Sequence, residues 1–355
     1  MPAVTAPAKV LVSGANGYIA MWVVRTLLEK GYSVRGTVRS SAKGAYLSNY
    51  FRSYGDKFEL AIVDDITKEG AFDEAVKGVD AVEHTASPFH FKADDPQELI
   101  GPAVNGTRSI LNSILKNGAL RSHSVKRVVV TSSVAAILES RSGPVVFTDK
   151  DWNQQSIDEV EKLGKGASAA AKYRASKTLA EKAAWELYNA NKGKIQWDLV
   201  TINPPFVFGP AIHEVDKAAA LNTSAHEWYK TVVKEDAGGK SEQALTTQAS
   251  CWVDVRDLGQ VHELALSKEA ASEKRVIASA GPFTWQDFID AANKVKPNGL
   301  PNHPKLAKGA VNTPRPDKIN VNYDTTTVTK DLGFTFMSIE QSTKDTLEDF
   351  EKRGW

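Results

Sequence analysis

The sequence predicts an α/β fold: a doubly wound parallel sheet with a smaller, mixed C-terminal lobe. Three observations predict it. Short apolar, β-rich runs alternate with helical stretches through the first part of the chain. A glycine loop joins the first of these runs to the first helix. Beyond Pro204 the alternation loosens and chain breakers appear. Strands that are apolar throughout and separated by helices belong to parallel sheets covered on both faces.

In order, Lys9–Ser13 reads as a buried strand, followed by a helix from Tyr18 to Lys30. Gly31 ends that helix as a C′ glycine does. Tyr32–Val38 is the second strand, and Phe58–Val63 and Ala81–Thr85 are the next two. Gly70–Lys77 and Pro96–Lys116 read as helices beside them. Val125–Thr131 is β-branched nearly throughout, the strongest strand signal in the chain. Tyr173–Asn191 is a long helix, and Gln196–Ile202 another strand. Pro204-Pro205 and Gly209-Pro210 then break the pattern. The stretch from Ala211 to Ser250 mixes helix with a polar Gly-Gly loop near Gly238. Val253–Leu266 and Arg275–Ala280 are expected to return to the sheet, with helices near Trp285–Val295 and Ser338–Lys352.

Composition narrows the function. The 355 residues carry 44 basic and 43 acidic side chains, a formal net charge of +1. With no long Lys/Arg run, nucleic acid and an anionic membrane are not expected as partners. No stretch approaches the ~18 apolar residues of a membrane span, and Met1 to Ala8 lacks the pattern of a signal peptide. Cys251 is the lone cysteine, so no internal disulfide forms; a reducing compartment, the cytoplasm, is expected. The seven histidines are scattered without metal-ligand spacing, so no metal is expected. His84 and His262 read as packed or capping residues.

The glycine loop carries the first chemistry. In Ser13-Gly14-Ala15-Asn16-Gly17-Tyr18-Ile19-Ala20, Gly14 permits a tight turn and Gly17 lets backbone N–H groups reach a pyrophosphate at the helix N-terminus. Ala20 is small enough for close helix–strand packing. The spacing is Gly-x-x-Gly-x-x-Ala, and its strand–loop–helix setting marks a dinucleotide site. An NAD enzyme places an acid at the end of the second strand to hold the ribose 2′-hydroxyl. Here that place holds Arg39, with Lys43 following. An acid would repel a 2′-phosphate, whereas a guanidinium fork and a second cation bind it. NADPH is therefore the expected cofactor. Asp65-Ile66, after the third strand, is an expected adenine contact.

The second chemistry lies in Tyr173-Arg174-Ala175-Ser176-Lys177, where Tyr and Lys at i and i+4 share one helix face. An ammonium beside a phenol stabilises phenolate and lowers its pKa. A phenol so tuned can protonate a carbonyl oxygen while hydride reaches the carbon. Thr131-Ser132-Ser133 places hydroxyls at the carboxyl end of a central strand, where open α/β sheets bind ligands. Ser133 is read as holding the carbonyl.

With this ordered set in hand, the chain resembles an extended short-chain dehydrogenase/reductase. It is most similar to the yeast and fungal NADPH-dependent methylglyoxal/3-methylbutanal reductase group, with dihydroflavonol and cinnamoyl-CoA reductases as cousins. The resemblance runs over nearly the whole chain. It is carried by Gly14 to Ala20, Arg39 with Lys43, His84-Thr85-Ala86-Ser87-Pro88, Val104-Asn105-Gly106-Thr107, Thr131-Ser132-Ser133, Tyr173 with Lys177, and Asn203 to Pro210. It implies a Rossmann-type fold and an NADPH-dependent carbonyl, aldehyde or keto reductase. Ser133 would be the catalytic serine rather than Ser132, Tyr173 the acid/base, and Lys177 its partner and a ribose ligand.

The resemblance also implies a cofactor shell of Gly14, Ala15, Asn16, Gly17, Tyr18, Ile19, Arg39, Lys43, Asp65, Ile66, Thr85, Ala86, Tyr173, Lys177, Val207 and Ser224. Pro204 would line the nicotinamide end. Ser13 stands where Thr is usual, and Met21-Trp22 where a small or polar residue and His are common. Expected substrate walls are Phe89, Phe91, Val134, Phe206 and Trp228, aromatic and apolar groups that favour an apolar carbonyl compound.

The expected division is a dinucleotide-binding domain over 1–205, rejoined near 252–280, and a mainly substrate-binding lobe over 206–355. A monomer and a homodimer both fit. Two other readings are a nucleotide-sugar epimerase or dehydratase, against which Arg39 and Lys43 speak, and a non-catalytic NADP(H) sensor, against which the retained Tyr173 and Lys177 speak.

Overall fold

A computed structural model describes residues 3–87, 93–117, 125–310, 313 and 320–355. The strands are β1 (Lys9–Ser13), β2 (Ser33–Val38), β3 (Phe58–Ile62), β4 (Ala81–His84), β5 (Arg127–Thr131), β6 (Val145–Phe147), β7 (Asp198–Asn203), β8 (Phe206–Phe208), β9 (Ala249–Asp254), β10 (Arg275–Ile277), β11 (Gly281–Thr284) and β12 (Val321–Tyr323). The helices are α1 (Tyr18–Glu29), α2 (Ser41–Tyr50), α3 (Gln97–Asn117), α4 (Gln154–Leu163), α5 (Ala169–Asn191), α6 (Thr223–Trp228), α7 (Glu242–Thr247), α8 (Val255–Ser267), α9 (Trp285–Val295) and α10 (Ile339–Arg353).

Seven strands form one parallel sheet in the order β10-β7-β5-β4-β1-β2-β3. This is the doubly wound, Rossmann-type sheet. The order reverses between β1 and β4, so a crevice opens beyond their carboxyl ends. Burial follows the two-residue period of a strand. Val129 joins the cluster under α1 and α8, while Val128 and Val130 join the one under α3 and α5. At the opposite end of β5 the fully buried Arg127 grips Asp198 with two bonds of 2.8 and 2.7 Å. Its remaining nitrogen ties down the carbonyls of Ala265, Leu266 and Lys268 at the carboxyl end of α8. Every charge is paired there, which is the condition for keeping an ion pair inside a core.

A smaller sheet, β11-β9-β8, has β8 parallel and β11 antiparallel to β9. Phe208, Phe283, Phe288 and Trp252 pack edge to face between it and α9. Strands β6 and β12 pair separately, and beside them lies the buried Cys251.

Two local expectations differ from the fold. Gly70–Lys77 is a run of turns rather than a helix. Its bonds are mostly of the i to i+3 kind, as from Asp73 N–H to Gly70 and from Lys77 N–H to Glu74. Phe72, Ala75, Val76 and Val79 are buried, so the apolar spacing reports a packed turn. Val253–Leu266 does not enter the large sheet. It finishes β9 and becomes α8, capped by the Asp254 carboxylate accepting from Arg256 N–H. Arg275–Ile277 does join, as the edge strand beside β7.

Candidate active site

The glycine loop leaves β1 at the switch point. Gly14 has φ +61°, and a Cβ there would come within 3.0 Å of Ala86 Cβ. The loop is pinned by Ala15 N–H donating to Thr37 O at 2.9 Å and Gly17 N–H to Gly14 O at 3.0 Å. A Cβ on Gly36 would lie 2.8 Å from Ala15 Cβ, so β2 must carry glycine at this crossing. Gly17 caps α1 without a side-chain bond, and the first turn holds no acid. The first N–H groups of α1 thus face outward at its positive end, as an anion requires. Asn16 and Ile19 are partly exposed beside them.

Tyr18 turns away from this loop. Its hydroxyl donates to Gly209 O at 2.8 Å in the core, leaving only its backbone to a ligand. The neighbouring departure, Trp22, finds a structural reading: its indole N–H donates to Pro210 O at 2.9 Å. Together they lash α1 to the turn after β8.

Arg39 and Lys43 flank the start of α2, whose first turn carries no acid. Both are exposed, and neither forms an ion pair with a described carboxylate. Asp65 is occupied, accepting from Thr67 N–H at 2.9 Å and Thr67 Oγ1 at 2.7 Å. These bonds hold its carboxyl below the usual range. Ile66 lies on Gly106 of α3, where a Cβ would meet its Cδ1 at 3.1 Å.

Ser13 organises the end of β4. Its Oγ accepts from Thr85 N–H at 3.1 Å and Ala86 N–H at 3.0 Å, and lies 2.8 Å from His84 Nδ1. With both acceptor positions filled, the serine proton goes to Nδ1, so the imidazole carries its own proton on Nε2. Burial, and then the nearby Lys177 charge, push His84 down to about 4, consistent with a neutral ring. Thr85 Oγ1 returns a bond to Ser13 O.

Ser133, Tyr173 and Lys177 meet at the same sheet edge. Ser133 follows β5 and caps the short turn Val134–Ala136, its Oγ accepting from Ala135 N–H at 3.1 Å. Its contact to Pro204 O is long, 3.4 Å, beyond the ordinary O–H···O range. The Ser133 side chain is also hydrogen-bonded to Tyr173. Lys177, one turn along α5, has its Nζ 6.0 Å from the Tyr173 ring centroid and donates to Ser87 Oγ at 2.9 Å.

The electrostatics correct one expectation. Tyr173 lies above its ordinary pKa rather than below it: burial pushes the phenol up, and the bond to Ser133 opposes. Lys177 is itself pushed down to about 8 by burial, with Glu181 opposing. Burial thus shifts both groups toward their neutral forms, yet a lysine at about 8 still carries its proton near neutral pH.

Of the other expected residues, Pro204 is buried and its carbonyl accepts from Val134 N–H at 3.1 Å. Val207 is buried in β8, and Ser224 is partly exposed at the start of α6. Val134 lies beside Ser133, largely buried among Ile137 and Ile277. Phe206 is 36 % exposed, with one side of its ring against Phe208. Trp228 is a correction: it is 1 % exposed and packs edge-on against Phe288 and Phe350, as a core side chain does. Phe89 and Phe91 lie outside the described residues. Sequence reading missed Ser87 as a Lys177 partner and Glu181 altogether. Glu181 sits four residues past Lys177 on the same helix face, and that spacing was the available signal. Among the described residues, no cluster of three metal-ligating side chains occurs and no helix is long and apolar enough to cross a membrane.

The residues present fit a phosphorylated dinucleotide. The loop is one that a Cβ would obstruct at Gly14, α1 begins uncapped, and two exposed cations without an ion pair among the described residues stand at the end of β2. Comparison with known proteins agrees. Residues 10–280 match the model of the NAD dependent epimerase/dehydratase family. The NADPH-dependent methylglyoxal reductase Gre2 of Saccharomyces cerevisiae is 34 % identical over 353 residues, 97 % of this chain and 98 % of that protein. The ketoreductase azaE of Aspergillus niger is 35 % identical over 347 residues, 96 % of each chain. The crystal structure of Candida albicans Gre2 in complex with NADPH superposes with a TM-score of 0.84 at 33 % identity, covering 98 % of this chain and all of that one.

Proposed function

This chain belongs to the NAD dependent epimerase/dehydratase family, and from that premise we propose that it reduces aldehydes and ketones to alcohols with NADPH. It is an oxidoreductase, and NADPH is its cofactor. The observation that carries the residue assignment is the meeting of Ser133, Tyr173 and Lys177 at the carboxyl edge of the sheet, beside the glycine loop.

Gly14 to Ile19 would hold the pyrophosphate by backbone N–H groups, Arg39 and Lys43 the 2′-phosphate, and Lys177 the ribose. When bound, NADPH supplies the hydride for the carbonyl carbon. The rest of the chemistry falls to the chain. Ser133, its oxygen fixed by Ala135 N–H, donates a hydrogen bond to the carbonyl oxygen. Tyr173, kept protonated by burial, gives its proton to that oxygen as negative charge develops there. Lys177, its Nζ 6.0 Å from the ring centroid, favours the phenolate that remains and so eases the transfer against the cost of burial. Atoms balance: one hydride and one proton convert C=O to CH–OH.

Residues 1–205, with the return that brings β10 beside β7, carry the cofactor in this reading. Residues 206–355 mainly shape the substrate end, where the half-covered ring of Phe206 supports an apolar wall. Arg39 in place of an acid favours reduction with exchangeable NADPH over an epimerase cycle on retained NAD.

The test is NADPH oxidation at 340 nm (roughly the reduced-nicotinamide band) across methylglyoxal, branched aldehydes, aryl ketones and β-keto esters, in wild type and Tyr173→Phe. Turnover in wild type, with a loss of about 100-fold or more in Tyr173→Phe and NADPH binding retained, is the expected result. Near-normal turnover in the variant would remove Tyr173 from the acid role.

A further inference from the structure

Glu181 is a fully buried carboxylate on α5, one turn beyond Lys177 and two beyond Tyr173. Such a charge costs several kcal/mol to bury unless its lone pairs are filled. Here each oxygen takes two donors. Oε1 accepts from Thr201 Oγ1 at 3.0 Å and Arg275 Nε at 2.6 Å. Oε2 accepts from Ser132 Oγ at 2.5 Å and Asn203 Nδ2 at 2.7 Å. That uses the roughly four acceptor positions of a carboxylate.

Ser132 and Asn203 stand at the active-site edge of the sheet, just after β5 and at the end of β7, while the paired Thr201 and Arg275 lie two residues further back on β7 and β10. Holding α5 to the sheet would need none of this, since an apolar pair of similar volume does it as well. The Asn203 amide shows where the arrangement leads. It donates to Glu181 and also to Ser133 O at 3.1 Å. The carboxylate sets the amide's orientation, because turning the Asn203 oxygen toward Glu181 would set two acceptors against each other. Ser132 is held by Glu181 directly, and Ser133 by the amide that Glu181 orients.

We propose that Glu181 is a positioning residue of this site: through Asn203 and Ser132 it fixes the backbone of Ser133, and with it the hydroxyl that meets the carbonyl. The inference rests on the carbonyl-reductase reading for its kinetic consequence and on the hydrogen-bond geometry alone for its structural one. Glu181→Gln keeps the shape, removes the charge, and turns one acceptor into a donor facing donors. A misplaced hydroxyl weakens an interaction made with the transition state, so kcat falls more than KM rises.

The experiment measures kcat and KM for Glu181→Gln, Ser133→Ala and the double variant, with amide hydrogen exchange over residues 132–137 of the cofactor-free protein. In Glu181→Gln, kcat should fall about tenfold or more, with KM for NADPH changed less than about threefold. In the Ser133→Ala background the same substitution should cost less than about twofold, because residues acting as one unit are not additive. Exchange at Ala135 N–H, which reports the Ser133 oxygen, should rise about tenfold while β2 amides hold. Equal losses in both backgrounds, or unchanged exchange over 132–137, overturn the proposal. If Glu181→Gln does not fold, Asn203→Ala, which leaves the Arg275 ion pair intact, should show the same non-additivity and the same exchange change; absence of either overturns it. A wild type that reduces no carbonyl would strike the functional reading alone, and the exchange measurement would still decide the role of Glu181.

Discussion

Lys177 Nζ donates to Ser87 Oγ at 2.9 Å, so the cation of the site is held from the end of β4, across from its own helix. Burial already pushes Lys177 down to about 8, and Glu181, Tyr173 and His84 are the titratable groups around it. A bond to the charged form favours that form. In Ser87→Ala the ammonium loses this support and gives up its proton at lower pH. Activity that needs the ammonium falls as pH rises through the lysine's pKa, so the alkaline fall of kcat should move down by about one unit. Superimposable pH profiles for variant and wild type would show that Ser87 does not hold the charge.

Arg39 stands exposed at the end of β2 and forms no ion pair with a carboxylate among the described residues. Arg39→Ala should weaken NADPH binding by about 1.5–3 kcal/mol, ~10- to 100-fold, the worth of a charge-assisted contact. NADH, lacking the 2′-phosphate, should change by less than about threefold. Titration of both cofactors into wild type and variant checks this, and equal losses would take Arg39 away from the phosphate.

Gly36 passes Ala15 so closely that an added Cβ would lie 2.8 Å from the alanine's. Both atoms are near backbone and cannot swing aside. Gly36→Ala should therefore shift the glycine loop, costing about 1–3 kcal/mol of stability. NADPH affinity should drop about tenfold for the same reason. Calorimetry and cofactor titration read the two effects; an unchanged melting temperature with normal NADPH affinity would mean the loop yields without cost.

His84 and His213 are each pushed down to about 4 by burial, with a neighbouring cation adding to it. An unfolded histidine takes up its proton near 6.5. Below that pH the unfolded chain binds protons that the folded one refuses, so stability is lost as pH falls from about 6.5 toward about 4. The full difference is on the order of 3 kcal/mol per residue. Urea midpoints at neutral and mildly acid pH should diverge in wild type and diverge less in His84→Gln. An identical pH dependence in the two proteins would assign the acid sensitivity elsewhere.

What the sequence revealed and what it withheld divide along physical lines. The strands of the large sheet were legible because each is a local run, Arg127–Thr131 above all, buried on both faces. Ser133, Tyr173 and Lys177 were legible because a strand end and a helix-face spacing are local too. Gly70–Lys77 misled because its apolar spacing suits both a helix and a packed turn, and only long-range burial chooses. Trp228 misled because an aromatic residue serves a core or a cavity wall equally well. The fixing of Ser133 by Asn203 and Glu181 joins residues 70 and 48 positions away, a relation no window along the chain contains. The rise in the Tyr173 pKa was hidden for a similar reason, since desolvation depends on what packs around a group and not on its sequence neighbours.

Cys251 is 1 % exposed, and burial pushes its thiol up to about 12. Electrophilic aldehydes add to thiolates and leave thiols nearly untouched. A catalyst that handles such compounds risks being alkylated by what it consumes. This one keeps its lone thiol protonated and out of reach, so its working lifetime should not depend on a protective reductant.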